Sequence, residues 1–207
     1  MAQYFQIHCQ NPQLRLIQQA VEIIRGGGLV AYPTDSSYAL GCQLDDKRAV
    51  ARIRQIRKLD RNHNFTLVAH DLKQISQFAK IDNQQYRLIK TLTPGPYTFI
   101  LAAKRLVPNR LVHPKRRTIG IRIPDNAIAR ALLIDLGEPI MSSSLILPNA
   151  ELAMADPEEI RRKLEHDVDL VIDGGLGTLE PSTVLDWHDT RLRVLREGAG
   201  DIAFLNN

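Results

Sequence analysis

Residues 29–42 read LVAYPTDSSYALGC. LVAY predicts a short buried strand, and Pro33 ends it because proline has no N–H to give to a ladder. Five residues with hydroxyl or carboxylate groups follow, Thr34 to Tyr38, before apolar sequence resumes. If the strand is central and a helix comes next, these side chains stand at a strand end, where open α/β sheets bind their ligands. They could meet the carboxylate, amine or phosphates of a small molecule. The competing reading is a turn in which Thr34 and Asp35 bond nearby backbone.

Working outward, Asn11 and Pro12 occupy the cap and first-turn positions of a predicted helix. Leu16, Ile17, Ala20, Val21 and Ile24 form its apolar stripe, and Gly26 to Gly28 stop it. Because that glycine run precedes a strand instead of following one, it does not have the dinucleotide-binding arrangement. Asp45 or Asp46 caps a second helix with Ala49, Ile53 and Ile56 on its buried side. FTLVAH (65–70) and YTFILAA (97–103) predict strands, with a helix near 83–92 between them and a TPGP turn at 93–96. TIGIRIP (118–124) alternates most clearly: Ile119, Ile121 and Ile123 share one face, while Thr118, Gly120 and Arg122 share the other. Arg122 is thus predicted to project away from the core side. Asp125 is placed as the cap of a helix ending at Gly137, PIMSSS (139–144) as a strand, and DPEEI (156–160) as a helix start. VDLVID, STVLDW and RLRVLRE finish the chain as strands, the last two as a hairpin. The pattern predicts one α/β domain over 1–207, with a mixed sheet of about seven strands flanked by helices.

With 44% hydrophobic and 24% charged residues the chain is of ordinary globular composition. No apolar run reaches the roughly 20 residues of a membrane helix, and the start MAQYFQIHCQ is not signal-like, so a cytoplasmic protein without membrane contact is expected. Cys9 and Cys42 form no C-x-x-C, and Cys42 reads as a buried thiol. The net charge of +4 is unevenly spread: residues 48–61 carry six cations and one acid, and residues 104–117 six cations and none. Two such clusters favour a phosphate-bearing partner over two solvated faces. There is no P-loop, no H-E-x-x-H or Cys/His zinc spacing and no G-x-S-x-G, and DGGLG (173–177) reads as a turn. PIMSSS and PST (181–183) repeat the design of hydroxyls at strand ends, which together with Arg122 and Arg196 suggests one donor-lined cleft.

In order along nearly the whole chain, YPTDSSYALGC, PGPYTFIL, TIGIRIP, PIMSSS, PSTV and LREG resemble the YrdC-like family, and HNFTL with the REG-GD features resembles its YciO branch. The resemblance implies a twisted mixed α/β sheet of YrdC type with flanking helices and a large basic concave cleft. For well-studied members it implies synthesis of threonylcarbamoyl-AMP from L-threonine, bicarbonate and ATP, with release of pyrophosphate, for modification of adenosine 37 in tRNA. ATP would be a substrate accompanied by Mg²⁺, AMP a related ligand, and no tightly bound protein-ligated metal is implied. By this matching Arg57 and Lys58 are catalytic. Thr34, Tyr38, Thr66, Arg122, Ser142, Ser144, Thr183 and Arg196 bind substrate, with Arg122 and Arg196 holding phosphates or the threonine carboxylate. The fold is also associated with double-stranded RNA or tRNA binding, for which Arg54, Arg61, Lys115, Arg116 and Arg117 are the candidates. The chain departs from the family pattern twice. The arginine of the K-x-R motif is Leu59 here, unless Lys58 or Arg61 fills its place, and the asparagine of S-x-N is Ile146. An altered or weak synthase and an RNA-binding protein that has lost synthesis are the two main readings these departures leave, and a hydrolase or carbamoyl-transfer enzyme acting on an acyl-adenylate is a third.

Overall fold

The computed structural model describes residues 1–60, 63–189 and 191–206. The first half runs β1 (Gln3–Gln6), α1 (Leu14–Arg25), β2 (Val30–Tyr32), β3 (Ala39–Gln43), α2 (Lys47–Arg57), β4 (Thr66–Val68), α3 (Leu72–Phe78), α4 (Asn83–Leu92) and β5 (Tyr97–Ala102). It continues with β6 (Thr118–Arg122), α5 (Ala127–Leu136), β7 (Ile140–Ser144), α6 (Pro157–Leu164), β8 (Leu170–Asp173), β9 (Thr183–Asp186) and β10 (Arg193–Arg196). Among the described residues these strands form one mixed sheet in the order β1-β8-β2-β3-β7-β4-β6-β5-β9-β10.

The alternation in β6 sorts the two layers. Ile119 and Ile121 point into a large apolar cluster with Leu40, Cys42, Leu67, Phe99, Met141 and Leu185, which α2, α3, α4 and α6 cover with Ile53, Phe78, Ile89 and Ile160. Burying each such side chain stabilises the fold by about 1.5–3 kcal/mol. On the other face, α1 and α5 pack against each other and seal a second cluster with Val30, Tyr32, Ala39, Val68, Ile140 and Leu170. Among the described residues no side chain of β5, β6, β9 or β10 joins that second cluster. One face of the sheet is therefore helix-covered as far as β4 and without that cover beyond it.

Register fixes what this stretch presents. Ser142 lies opposite Thr66, Thr66 opposite Gly120, Gly120 opposite Ile100, and Ile100 opposite Asp186. Directly opposed residues share a face, so this row crosses five strands. At its middle a Cβ on Gly120 would meet Thr66 Oγ1 at 2.7 Å and the Phe65 carbonyl oxygen at 3.0 Å, so only glycine fits without displacing the neighbouring strand.

Several sequence expectations need correction. Among the described residues the sheet has ten strands instead of about seven: the eight segments read as strands are all present, and two more join them, β1, which is only four residues long, and β3, which follows the 33–38 turn so closely that it reads as the continuation of 29–32. PTDSSY therefore joins β2 to its antiparallel neighbour β3 and does not precede a helix. Gln13, not Asn11, stands at the α1 cap, and its side-chain oxygen accepts from the His8 N–H at 3.0 Å. Asn126, not Asp125, caps α5, and α3, capped by Asp71, was not anticipated. The Asp46 and Asp156 caps, the Gly137 terminator, the 83–92 helix and the final hairpin agree with the sequence reading. Cys42 is fully buried and burial pushes its thiol up to about 12, which leaves it unreactive. No helix of the described residues is long and apolar enough to cross a membrane.

Candidate functional site

A cleft of about 240 Å³ opens on the face that α1 and α5 leave uncovered. Thr66, Thr98, Ile100, Gly120 and Val184 form its sheet side. Ser143, Ser144 and Ile146 close it at the end of β7, and Ser182, Leu195 and Arg196 close it from the β9–β10 side. Arg57, the last residue of α2, and His63 and Asn64 beyond it complete the lining.

Arg57 donates Nε–H to the Ile146 carbonyl at 3.1 Å and a second N–H to the Ser143 hydroxyl. Across the cleft, Arg196 donates two N–H groups to the Ser182 carbonyl at 3.1 and 2.8 Å, and the Ser182 and Thr98 hydroxyls are bonded at 2.8 Å. Among the described residues neither guanidinium forms an ion pair with a carboxylate. Burial, and secondarily the charge of Arg196, pulls Arg57 down to about 10; burial and then Arg122 lower Arg196. Cations held together without counter-charge are relieved by a bound anion, and guanidinium forks suit phosphates and carboxylates.

Arg122 answers the puzzle of the polar turn. It lies on the face opposite Ile121, as the alternation requires, yet it is only 6% exposed because residues 34–36 wrap it. One terminal nitrogen donates to Asp35 at 2.5 Å, Ser36 Oγ at 2.8 Å and Thr34 Oγ1 at 3.2 Å. The other Asp35 oxygen accepts the Asp125 backbone N–H at 2.9 Å. Arg122 Nε is buried with no hydrogen-bond partner among the described residues.

The remaining anticipated residues divide sharply. Thr66 and Ser144 line the cleft with Arg57 and Arg196. Thr34 is bound up in the turn, its hydroxyl donating to the Ser37 carbonyl at 2.6 Å. Tyr38 donates to the Gly175 carbonyl at 2.7 Å and accepts from Gly174 N–H at 3.2 Å, tying down the 173–177 loop. The Ser142 hydroxyl is bonded to Tyr32 at 2.8 Å, and Thr183 is wholly buried, donating to the Gly200 carbonyl at 2.6 Å. Lys58 is the exposed, left-handed C-cap of α2 and is not part of the lining, while Leu59 packs on the large core cluster. The cationic runs are also largely consumed within the fold. Arg54 donates to the carbonyls of Asp60 (2.7 Å) and Arg110 (3.5 Å) and stands over the Phe65 ring, and Arg116 pairs with the buried Asp186. Lys115 and Arg117 are exposed; Arg61 lies outside the described residues. His63, Asn64, Thr98, Ser143 and Ser182 were not singled out from sequence. Ser143 and Ser182 adjoin residues that were, and strand-end hydroxyls were the available signal.

A model of the Sua5, YciO and YrdC proteins, described as telomere recombination, matches residues 22–198. The chain belongs to the Sua5–YciO–YrdC family. It is 57% identical over 204 residues to a Haemophilus influenzae protein, covering 98% of this chain and 99% of that one. It is 54% identical to YciO of Escherichia coli over 98% of each chain, and the crystal structure of E. coli YciO matches with a TM-score of 0.95 over 98% of both. P. abyssi Sua5 complexed with L-threonine matches with a TM-score of 0.90 at 25% identity, over 98% of this chain and 59% of that one. The threonylcarbamoyl-AMP synthase of Vibrio vulnificus is 27% identical over 186 residues, 88% of this chain and 98% of that one.

Two stability predictions follow from the site. Asp35→Ala leaves Arg122 buried without its counter-charge and should cost about 3–5 kcal/mol, read as a lower urea midpoint at unchanged m-value; a loss below about 1 kcal/mol would show the pair is dispensable. Burial, then Arg57 and Arg54, lower His63 to about 4. Between the ordinary histidine value and about 4 the unfolded chain takes up a proton that the folded protein refuses, so stability falls as pH drops through that window, by on the order of 2 kcal/mol. His63→Gln should flatten that part of the stability profile in urea titrations at pH 7 and 4.5; an unchanged slope would contradict it.

Proposed function

We propose that the protein is a nucleotide-binding enzyme of the threonylcarbamoyl-AMP synthase type, making threonylcarbamoyl-AMP from L-threonine, bicarbonate and ATP, with release of pyrophosphate, for the modification of adenosine 37 in tRNA. The observation that carries this reading is the pair Arg57 and Arg196, carboxylate-free and facing each other across a hydroxyl-lined cleft. The name of the V. vulnificus relative and the L-threonine in the P. abyssi Sua5 structure support the same chemistry.

In this scheme the threonine amine condenses with bicarbonate to a carbamate, whose oxygen attacks the α-phosphorus of ATP as pyrophosphate leaves. Such a transfer depends on positioning and on charge stabilisation, so no protein nucleophile is needed. Arg57 and Arg196 offset the charge that moves onto the departing phosphates, and the hydroxyls of Thr66, Ser143, Ser144 and Ser182 orient the nucleotide. Arg122, which the family pattern matches to a phosphate or the threonine carboxylate, is paired with Asp35 and is not among the cleft-lining residues, so in this scheme it holds the β2–β3 turn and does not itself touch substrate. Among the described residues the lining offers guanidiniums and hydroxyls but no carboxylate, so Mg²⁺ would be held by the nucleotide's own phosphate oxygens and water, where it would neutralise their charge. Ile146 stands in the lining where the family pattern has an amide, and the loss of one preorganised donor costs on the order of 10²–10³-fold in rate, so turnover is slow. Nucleic-acid binding has less support, because Arg54 and Arg116 are engaged internally.

The test is mass spectrometry of products formed with ATP, Mg²⁺, threonine and bicarbonate. Threonine-dependent threonylcarbamoyl-AMP and pyrophosphate are expected, with Arg57→Ala lowering the rate by about 10²-fold. ATP binding without any such product would overturn the proposal and favour an altered substrate.

A further inference from the structure

The proposed chemistry releases a proton inside the cleft. An amino acid arrives as its ammonium form, and R–NH₃⁺ plus HCO₃⁻ gives R–NH–COO⁻, water and one H⁺. A nitrogen–carbon bond forms, one carbon–oxygen bond of bicarbonate breaks, and its oxygen departs as water. The cleft lining consists of guanidiniums, hydroxyls, an amide, apolar side chains and a single imidazole. Among the described residues that line it, His63 alone can take up a proton near neutral pH.

Its placement suits that task. His63 Nε2 is directed at the Ser143 hydroxyl, 3.5 Å away, and Arg57 donates to the same hydroxyl. The ring meets Phe65 edge-on with centroids 5.5 Å apart, which fixes its orientation. Among the described residues the charged groups acting on it are Arg57 and Arg54 of α2, which oppose its protonation, and Asp60, which favours it. In the empty cleft burial and those arginines hold it neutral, so it begins as the free base. Negative phosphate and carboxylate groups placed against Arg57 and Arg196 reverse the sign of that field and make protonation favourable when substrate is present. Resting on the synthase reading above, we propose that His63 accepts, at Nε2, the proton released when the ammonium group of the amino-acid substrate becomes a carbamate. Ser143, between His63 and Arg57, is positioned to relay it.

His63→Gln keeps a polar side chain of similar reach but cannot take the proton. General-base assistance contributes 10²–10⁴-fold, so the variant should lose about 10²-fold in kcat while its ATP affinity changes by less than about three-fold. The unaltered protein should show an acidic limb in its pH–rate profile that the variant lacks, and added imidazole should restore part of the variant's rate. An unchanged rate and profile would overturn the assignment, as would a variant whose whole defect lies in ATP affinity, since that would make His63 a wall of the site. Failure of the unaltered protein to make any product is a separate outcome, which defeats the synthase reading and this role with it.

Discussion

The ion pair between Arg122 and Asp35 ties the β2–β3 connection to β6, 87 residues away in sequence. It stands where the cover given by α1 and α5 gives out and the uncovered stretch of sheet begins. A buried guanidinium needs its counter-charge and hydrogen bonds to be tolerated, and the turn 34–36 supplies both. The same turn places Tyr38 against the 173–177 loop, so one polar knot links β6, the β2–β3 connection and that loop. A polar run inside apolar sequence is the mark of this arrangement: the hydroxyls belong to a cradle for a charge that arrives from another strand.

Much of the fold was legible because its elements carry local signals. The caps at Asp46 and Asp156, the glycine at 137 and the alternation of β6 are decided by backbone chemistry within a few residues. The short strands were harder to read. Gln3–Gln6 has too few residues to show a period, and Ala39–Gln43 is buried on both sides, so its apolar run does not alternate. The site was partly legible. Arg57, Thr66, Ser144 and Arg196, which the family resemblance implies, do line the cleft. Ser142 and Thr183 were named on the same grounds but spend their hydroxyls on Tyr32 and Gly200. Which hydroxyl of a serine run faces a ligand depends on strand register, and register is set by partners distant in sequence.

Charge runs were the least reliable guide. Residues 48–61 and 104–117 look like two basic patches, yet Arg52 pairs with Asp169, Arg110 with Asp45 and the Leu44 carbonyl, and Arg116 with Asp186. Such arginines stitch surface segments together. The two cleft cations, Arg57 and Arg196, are far apart in sequence, and a local count of charge brings only Arg57 into view.

The uncovered end of the sheet is, on the proposal above, an anion site built on Arg57 and Arg196. Titrating ATP into the ¹⁵N-labelled protein and following amide and arginine side-chain signals tests it most directly. Shifts are expected to concentrate at Thr66, Gly120, Ser143, Ser144 and Ser182 and at the Nε–H groups of Arg57 and Arg196. Shifts centred instead on Lys115 to Arg117, or none at millimolar nucleotide, would contradict it.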